Sequence, residues 1–137
     1  MTALAADRNT PEKKDAAIRE PGVAAGAVIY AGALVVLNSG WAEPGSTALD
    51  LTAIGRAEEQ VDNTGGANGD KTVRVRRGVF RFVNDGGDPV AAADIGSDCY
   101  IVDDQTVAKT DGTGTRSVAG KVYDVDAQGV WVEIDRR

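Results

Sequence analysis

The sequence contains no histidine and a single cysteine, Cys99. Without histidine the chain lacks the usual proton shuttle near neutral pH and the commonest metal ligand. Ser-His-Asp and Cys-His catalytic sites are excluded, and so are zinc sites of the usual ligand types; no catalytic or metal-binding residues are assigned. One cysteine cannot close an internal disulfide, so nothing signals an oxidising compartment. Long apolar runs are also missing. The most apolar stretch, VAAGAVIYAGALVVL, is rich in alanine and glycine and stops at Asn38, short of the roughly 18 uninterrupted apolar residues of a membrane span. No membrane partner is expected. The opening residues, MTALAADRNTPEKKD, have neither the basic start nor the apolar run of a signal peptide, which sets an expectation of synthesis in the cytoplasm. No phosphate loop is present either. GGANGD and DGTGTRS lack the Walker lysine spacing and fit surface turns, so no cofactor is expected.

What is present points to strands. At 137 residues the chain suits one domain, and its 17 glycines recur every few residues from Gly22 onward, as short strands joined by tight turns require. The fold class expected is mainly β: a small β-barrel or sandwich of short strands with an extended N-terminal arm. Residues 1–22 form that arm and residues 23–137 a single β domain. The arm balances four basic residues against four acidic ones, with only Leu4 and Ile18 as sizeable apolar groups. Such a segment cannot bury enough surface to fold by itself, so it is expected to be mobile alone and ordered by a partner. Thr10-Pro11-Glu12 could cap and start a short helix within it.

In the body, residues 27–37 read as a long strand interrupted at Gly32, and residues 51–59 as a second strand followed by a loop over 62–70. DGGDP (85–89) is a turn, and VAAADIG supports at most a short helical turn. CYIVDD and QTVAKT give two short strands around 99–110. The stretch 120–134 reads as a hairpin turning at Asp126 to Gly129, because Val130, Val132 and Ile134 alternate onto one face.

KTVRVRRGVFRF (71–82) carries a charge of +5 in a chain whose net charge is −6. Val73 and Val75 share one face of a strand, but Phe80 and Phe82 have the opposite parity. One extra residue near Arg77-Gly78, a bulge, restores a common inward face and turns Arg74, Arg76 and Arg81 outward. A hairpin turning at Arg77-Gly78 is the competing geometry. A nucleic acid is not the expected partner, since the rest of the body is strongly acidic and repels phosphate. The plain alternative is a solvated strand face whose arginines pair with neighbouring Asp or Glu. The sharper one is a contact between subunits, for which the planar guanidinium is suited. Asp103, Tyr100 and Lys109 are the nearest thing to a catalytic constellation without histidine, yet adjacent placement on short strands defines no convergent site. Asp103-Asp104 and Asp124/Asp126 follow no calcium-loop spacing. Trp41 and Trp131 fit core or subunit packing, and Cys99 fits a small buried hydrophobe.

Over nearly its whole length, through ADRNTP, VAAGAVIYAGALVVL, IGRAEEQVDNTGGANGDKTVRVRRGVF and ADIGSDCYIVDDQTVAKT, the chain resembles the head decoration, or capsid cement, proteins of tailed bacteriophages. The resemblance implies a non-enzymatic virion protein on the capsid exterior. Its partner would be the major capsid protein of a phage head, and it would form a homo-oligomer, a trimer ahead of a dimer. The arm residues Leu4, Arg8, Asn9, Thr10, Pro11 and Ile18 are then the candidates for capsid binding, and Arg74, Arg76 and Arg81 for a subunit or capsid interface. Another oligomeric virion component, of the tail or baseplate, or a non-enzymatic β-barrel binding module is the alternative.

Overall fold

A computed structural model describes Ala3, Ala5, Ala6 and residues 17–134 of the chain. In chain order the strands are β1 (Ile18–Arg19), β2 (Val28–Ile29), β3 (Leu34–Asn38), β4 (Trp41–Pro44), β5 (Thr52–Ala57) and β6 (Val61–Asp62). They continue as β7 (Val75–Arg76), β8 (Gly78–Asn84), β9 (Asp98–Ile101), β10 (Thr106–Ala108), β11 (Val118–Asp126) and β12 (Gly129–Ile134). A 3-10 turn, Ala92–Asp94, stands where the sequence allows a short helical turn. The fold is mainly β, as expected. Strands β10, β8, β12, β11 and β9 close into a five-stranded barrel, and a second sheet has the order β1-β7-β5-β3-β4. All barrel pairings are antiparallel except β8 with β10. A two-stranded sheet, β2 with β6, completes the body.

The uninterrupted apolar run LVVL has a structural cause. β3 is buried on both faces: Leu34 and Val36 join the core that fills the barrel, while Val35 belongs to a second core under the open sheet. β5 alternates likewise, with Ala53 in the first core and Ile54 and Ala57 in the second. Strands that lie between two dry layers need apolar residues at every position rather than every other one. Each fully buried Val, Leu or Ile stabilises the fold by roughly 2 kcal/mol. β3 and β5 are thus a wall shared by the two cores.

Gly32 interrupts the expected strand 27–37 more completely than a bend would. The chain turns there, with the Ala33 N–H donating to Tyr30 O at 3.1 Å, and β2 and β3 end up in different sheets. β4, Trp-Ala-Glu-Pro, carries little strand signal, since of its residues only Trp41 favours strands. It forms because Ser39 (φ 50°) and Gly40 (φ 88°) make a two-residue turn that folds it back on β3. The hairpin expected at Asp126 to Gly129 is present, with Asp126 opposite Gly129 and with Val130, Val132 and Ile134 all buried.

The parity change in the arginine segment receives a different explanation from a bulge facing one core. Val73 and Val75 lie in the second core, whereas Phe82, with Phe80 packed beside it, lies in the barrel core. The chain leaves the open sheet at Arg77 and enters the barrel at Gly78, whose φ of 156° disfavours an L side chain. The valines and phenylalanines point to opposite sides because they belong to opposite layers.

The boundary expected at residue 22 also shifts. Residues 17–23 run antiparallel along 71–77: Arg77 N–H donates to Ala17 O at 2.9 Å, and Val73 N–H to Pro21 O at 3.1 Å. Val23 N–H donates to Lys71 O at 2.8 Å, with Ile18 opposite Arg76 and Arg19 opposite Val75 between them. Ile18, assigned to the arm, is therefore part of a strand and half-buried. The backbone hydrogen bonds of residues 71–77 supply what the composition of residues 17–22 does not.

Candidate interaction surface

The first part of the arginine segment, residues 71–77, runs along residues 17–23 on one side, and Val75 and Arg76 pair with β5 on the other. Arg74, Arg76 and Arg81 are all exposed. Their partners differ. Arg76 Nε reaches Glu58 Oε1 at 2.8 Å, and Arg56 Nη2 reaches the same oxygen at 3.1 Å. Glu59 Oε2 accepts from the backbone N–H of Arg74 at 2.9 Å and lies 3.8 Å from its Nε. Arg81 Nη1 donates to the neutral amide oxygen of Gln128 at 2.7 Å. Arg74 and Arg76 are thus held by acids at the end of β5, the plain alternative for a charged strand face. Two guanidinium groups share the one carboxylate of Glu58, so positive charge remains in excess there.

Arg81 belongs to a different neighbourhood, on the outer wall of the barrel. It stands directly across from Trp131 of β12, with its guanidinium carbon 5.6 Å from the centre of the indole ring. Trp131 is fixed in turn by its Nε1–H, which donates to Asp126 Oδ2 at 2.9 Å. Beside this pair Arg56 lies over the ring of Phe80 at 4.5 Å. Two guanidinium–aromatic stacks therefore line one shallow cleft of about 290 Å³, closed at one side by Gly32. Guanidinium groups on aromatic faces are attracted by the ring quadrupole and keep their in-plane donors free to point outward.

Arg81 is legible in the sequence as an outward arginine, whereas Arg56, Phe80 and Gly32 are not legible as its neighbours. No local pattern links them, because Arg56 comes from the open sheet and Phe80 from the barrel. The remaining arm candidates Leu4, Arg8, Asn9, Thr10 and Pro11 lie outside the described residues. Of the residues considered for chemistry, Lys109 Nζ lies 3.9 Å from Asp94 Oδ1, and Asp103 Oδ1 accepts from the backbone N–H of Gln105 at 2.9 Å. Tyr100 stands across from Ala108 and from Val118. Cys99 is fully buried, and burial pushes its thiol up to about 12, so it packs as a hydrophobe. Among the described residues no three acidic or cysteine side chains converge as metal ligands would, and no helix is long and apolar enough to cross a membrane.

No family model, curated protein or solved structure matches this chain.

Several carboxylates hold their protons more weakly than usual. Asp126 is lowered by the indole N–H of Trp131 first and then by the backbone N–H of Gln128. Asp88 is lowered foremost by the Thr110 hydroxyl and further by Arg116. For Glu58 burial works upward, but hydrogen bonds from Arg56 and Arg76 outweigh it and the carboxyl is lowered. Groups whose folded pKa lies below the unfolded value add stability above the unfolded value and lose it as pH falls through the folded one. Thermal midpoints measured from pH 7 downward should therefore be flat to about pH 5 and fall steadily below about pH 4. Asp88→Asn should flatten part of that fall; an unchanged acid limb in this variant would show that Asp88 does not contribute to it.

Proposed function

We propose that this protein decorates the head of a tailed bacteriophage, binding the outer surface of the shell through its N-terminal segment while the β body supplies contacts between copies. It is a structural protein that performs no chemistry, and its partner is the major capsid protein. Copies assemble as a trimer in preference to a dimer.

The observation that carries this reading is where the N-terminal segment joins the body. β1 stands at the edge of the open sheet with no second strand partner among the described residues, whereas Gly22 and Ala24 further along the ribbon are hydrogen-bonded on their other side to Ala42 of β4. The N-terminal segment therefore joins the body at a sheet edge. An extended segment there can be added to, or can itself add to, the edge of a neighbouring sheet through backbone hydrogen bonds. Many such contacts over a shell act together, so each one need not be strong.

Co-sedimentation of purified protein with empty expanded heads tests this. The intact chain should pellet with the heads. A chain lacking residues 1–16, cut before the ribbon so that the body keeps its hydrogen bonds, should lose roughly a hundredfold in apparent affinity while its circular dichroism is unchanged. A truncated chain that pellets as well as the intact one removes the latch from the proposal. An intact chain that stays in the supernatant removes the shell.

A further inference from the structure

The cleft that holds the two guanidinium–aromatic stacks does not stand alone. It shares Val79 with a second cleft, of about 220 Å³, bounded by Ala17 and Glu133. It shares Gly32 with a third, of about 360 Å³, bounded by Tyr30, Asp104 and Gln105. Through these shared residues the three clefts adjoin as one shallow trough that runs from Glu133 past Val79 and Arg81 of β8 to Asp104. Val79 and Arg81 line it, and Val83 lies on their side of β8 by strand alternation, while Phe82 between them is buried. Gly32 matters because it carries no side chain: a Cβ built there meets nothing within 4 Å and would stand up between two clefts. Tyr30 (59% exposed) and Val83 (49% exposed) are large apolar side chains left in water beside it.

The charge along the trough is patterned. Arg56, paired with Glu58, and Arg81, beside Asp126, supply the cations of its middle, and Asp104, with Asp103 next to it in sequence, makes the end beyond Gly32 negative. Burial, and then the adjacent Asp103, push the Asp104 carboxyl up, so a cation brought to it is favoured. A polyanion such as a nucleic acid would place one phosphate on the arginines and the next against these aspartates or Glu133, which repel it. A small anion would use the middle and gain nothing from the apolar groups. An extended peptide with charges of both signs uses all of it.

The spacing follows from the ladder. Gln105 O accepts from Val83 N–H at 2.7 Å, so the acidic end lies one strand across from Val83, two residues along β8 from Arg81. At ~3.3 Å per residue along a strand and ~4.8 Å between strands, that is on the order of 8 Å, or two to three positions of an extended chain. We propose that this trough binds an extended segment of a partner protein that carries an acidic residue over Arg56 and Arg81 and a basic residue two or three positions away over Asp103-Asp104. An apolar side chain between the two lies on Val83 and Tyr30. This inference stands apart from the virion reading, because it names a surface and a peptide chemistry rather than a shell.

The test uses the full chain labelled with nitrogen-15. Its two indole N–H signals separate the site from the rest, since Trp131 lines the trough while Trp41 lies against Gly22 and Gly69. The probes are a blocked heptapeptide with glutamate and lysine three positions apart around a valine, the same peptide with glutamine at both charged positions, an oligothymidylate, and inorganic phosphate. The mixed-charge peptide should displace the Trp131 signal and leave Trp41 in place, with a midpoint below about 1 mM. The glutamine peptide should bind at least about tenfold more weakly, and Arg81→Gln should weaken the mixed-charge peptide by a similar factor with an unchanged thermal midpoint. Failure of the mixed-charge peptide to move Trp131 overturns the proposal. So does an equal response to the glutamine peptide, the oligothymidylate or phosphate. Loss of shell binding in the co-sedimentation experiment has no bearing on these outcomes.

Discussion

Replacing Asn63 with aspartate is expected to destabilise the protein by about 4 kcal/mol at neutral pH, although the two side chains have nearly the same shape. Asn63 is 2% exposed. Its Nδ2 faces three backbone carbonyls, those of Ala24 at 3.0 Å, Ala67 at 3.1 Å and Val23 at 3.3 Å. It thereby fastens the loop that follows β6 to the chain just after the N-terminal ribbon. Aspartate would put a carboxylate oxygen against those three acceptors in place of a donor. The penalty has a sign that can be checked. An aspartate there has its pKa raised in the folded state, so the full cost applies above that raised value and disappears below the unfolded value near 4. The difference in chemical-denaturation stability between Asn63→Asp and the parent should therefore shrink as pH falls from 7 to 4. Asn63→Ala, which removes the donor without adding charge, should cost about 2 kcal/mol with no such pH dependence. Equal losses in the two variants at every pH would mean that the carbonyl cluster is not what Asn63 satisfies.

Gly55→Ala should cost about 3 kcal/mol and lower the thermal midpoint by about 10 °C. Gly55 has φ 147°, and a Cβ built on it lies 2.2 Å from the carbonyl oxygen of Arg76. The obstacle is backbone rather than the tip of a side chain, so β7 itself must move away from β5. That displacement would open the pairing of Arg56 with Arg76 and of Ala57 with Val75, at the place where Glu58 bridges two arginines. Gly32→Ala is the comparison, because its Cβ has open space around it and only backbone strain at φ 89° opposes it. Thermal unfolding followed by circular dichroism would separate them. A Gly55→Ala midpoint no lower than that of Gly32→Ala would show that β5 and β7 are not held this closely.

The parts of this fold that can be read from sequence are those whose signal is local. The hairpin around Asp126 to Gly129 is legible because Val130, Val132 and Ile134 alternate beside a turn whose Asp126 carboxylate accepts from the backbone N–H of Gln128. The 3-10 turn at Ala92–Asp94 is legible for a similar reason. In the arginine segment the sequence shows that the parity changes and where it changes. It does not show that two cores exist, and without that fact a bulge over one core is the simpler geometry. β4 is invisible because its residues have little strand preference, and the turn before it together with the edge of β3 makes it a strand. Among the candidate site residues, the outward direction of Arg74 and Arg76 follows from alternation with Val73 and Val75, and that of Arg81 from alternation with Phe80 and Phe82. Their division does not: Glu58 and Glu59 hold the first two, whereas Arg81 meets Trp131 only through the pairing of β8 with β12. Arg56 over Phe80 requires knowing how the open sheet abuts the barrel, which no window of sequence contains.

The ribbon of residues 17–23 has a mechanical meaning. Its hydrogen bonds to residues 71–77 lie side by side along one line. Tension applied to the N-terminal segment along that line loads all of them in shear at once, so they must fail together. The same tension applied across the line would peel them in succession, beginning with the bond between Ala17 and Arg77. A tether anchored in this way resists hauling in one direction and releases readily in another, and Trp41, seated on Gly22 at the far end of the ribbon, is where such peeling would be arrested.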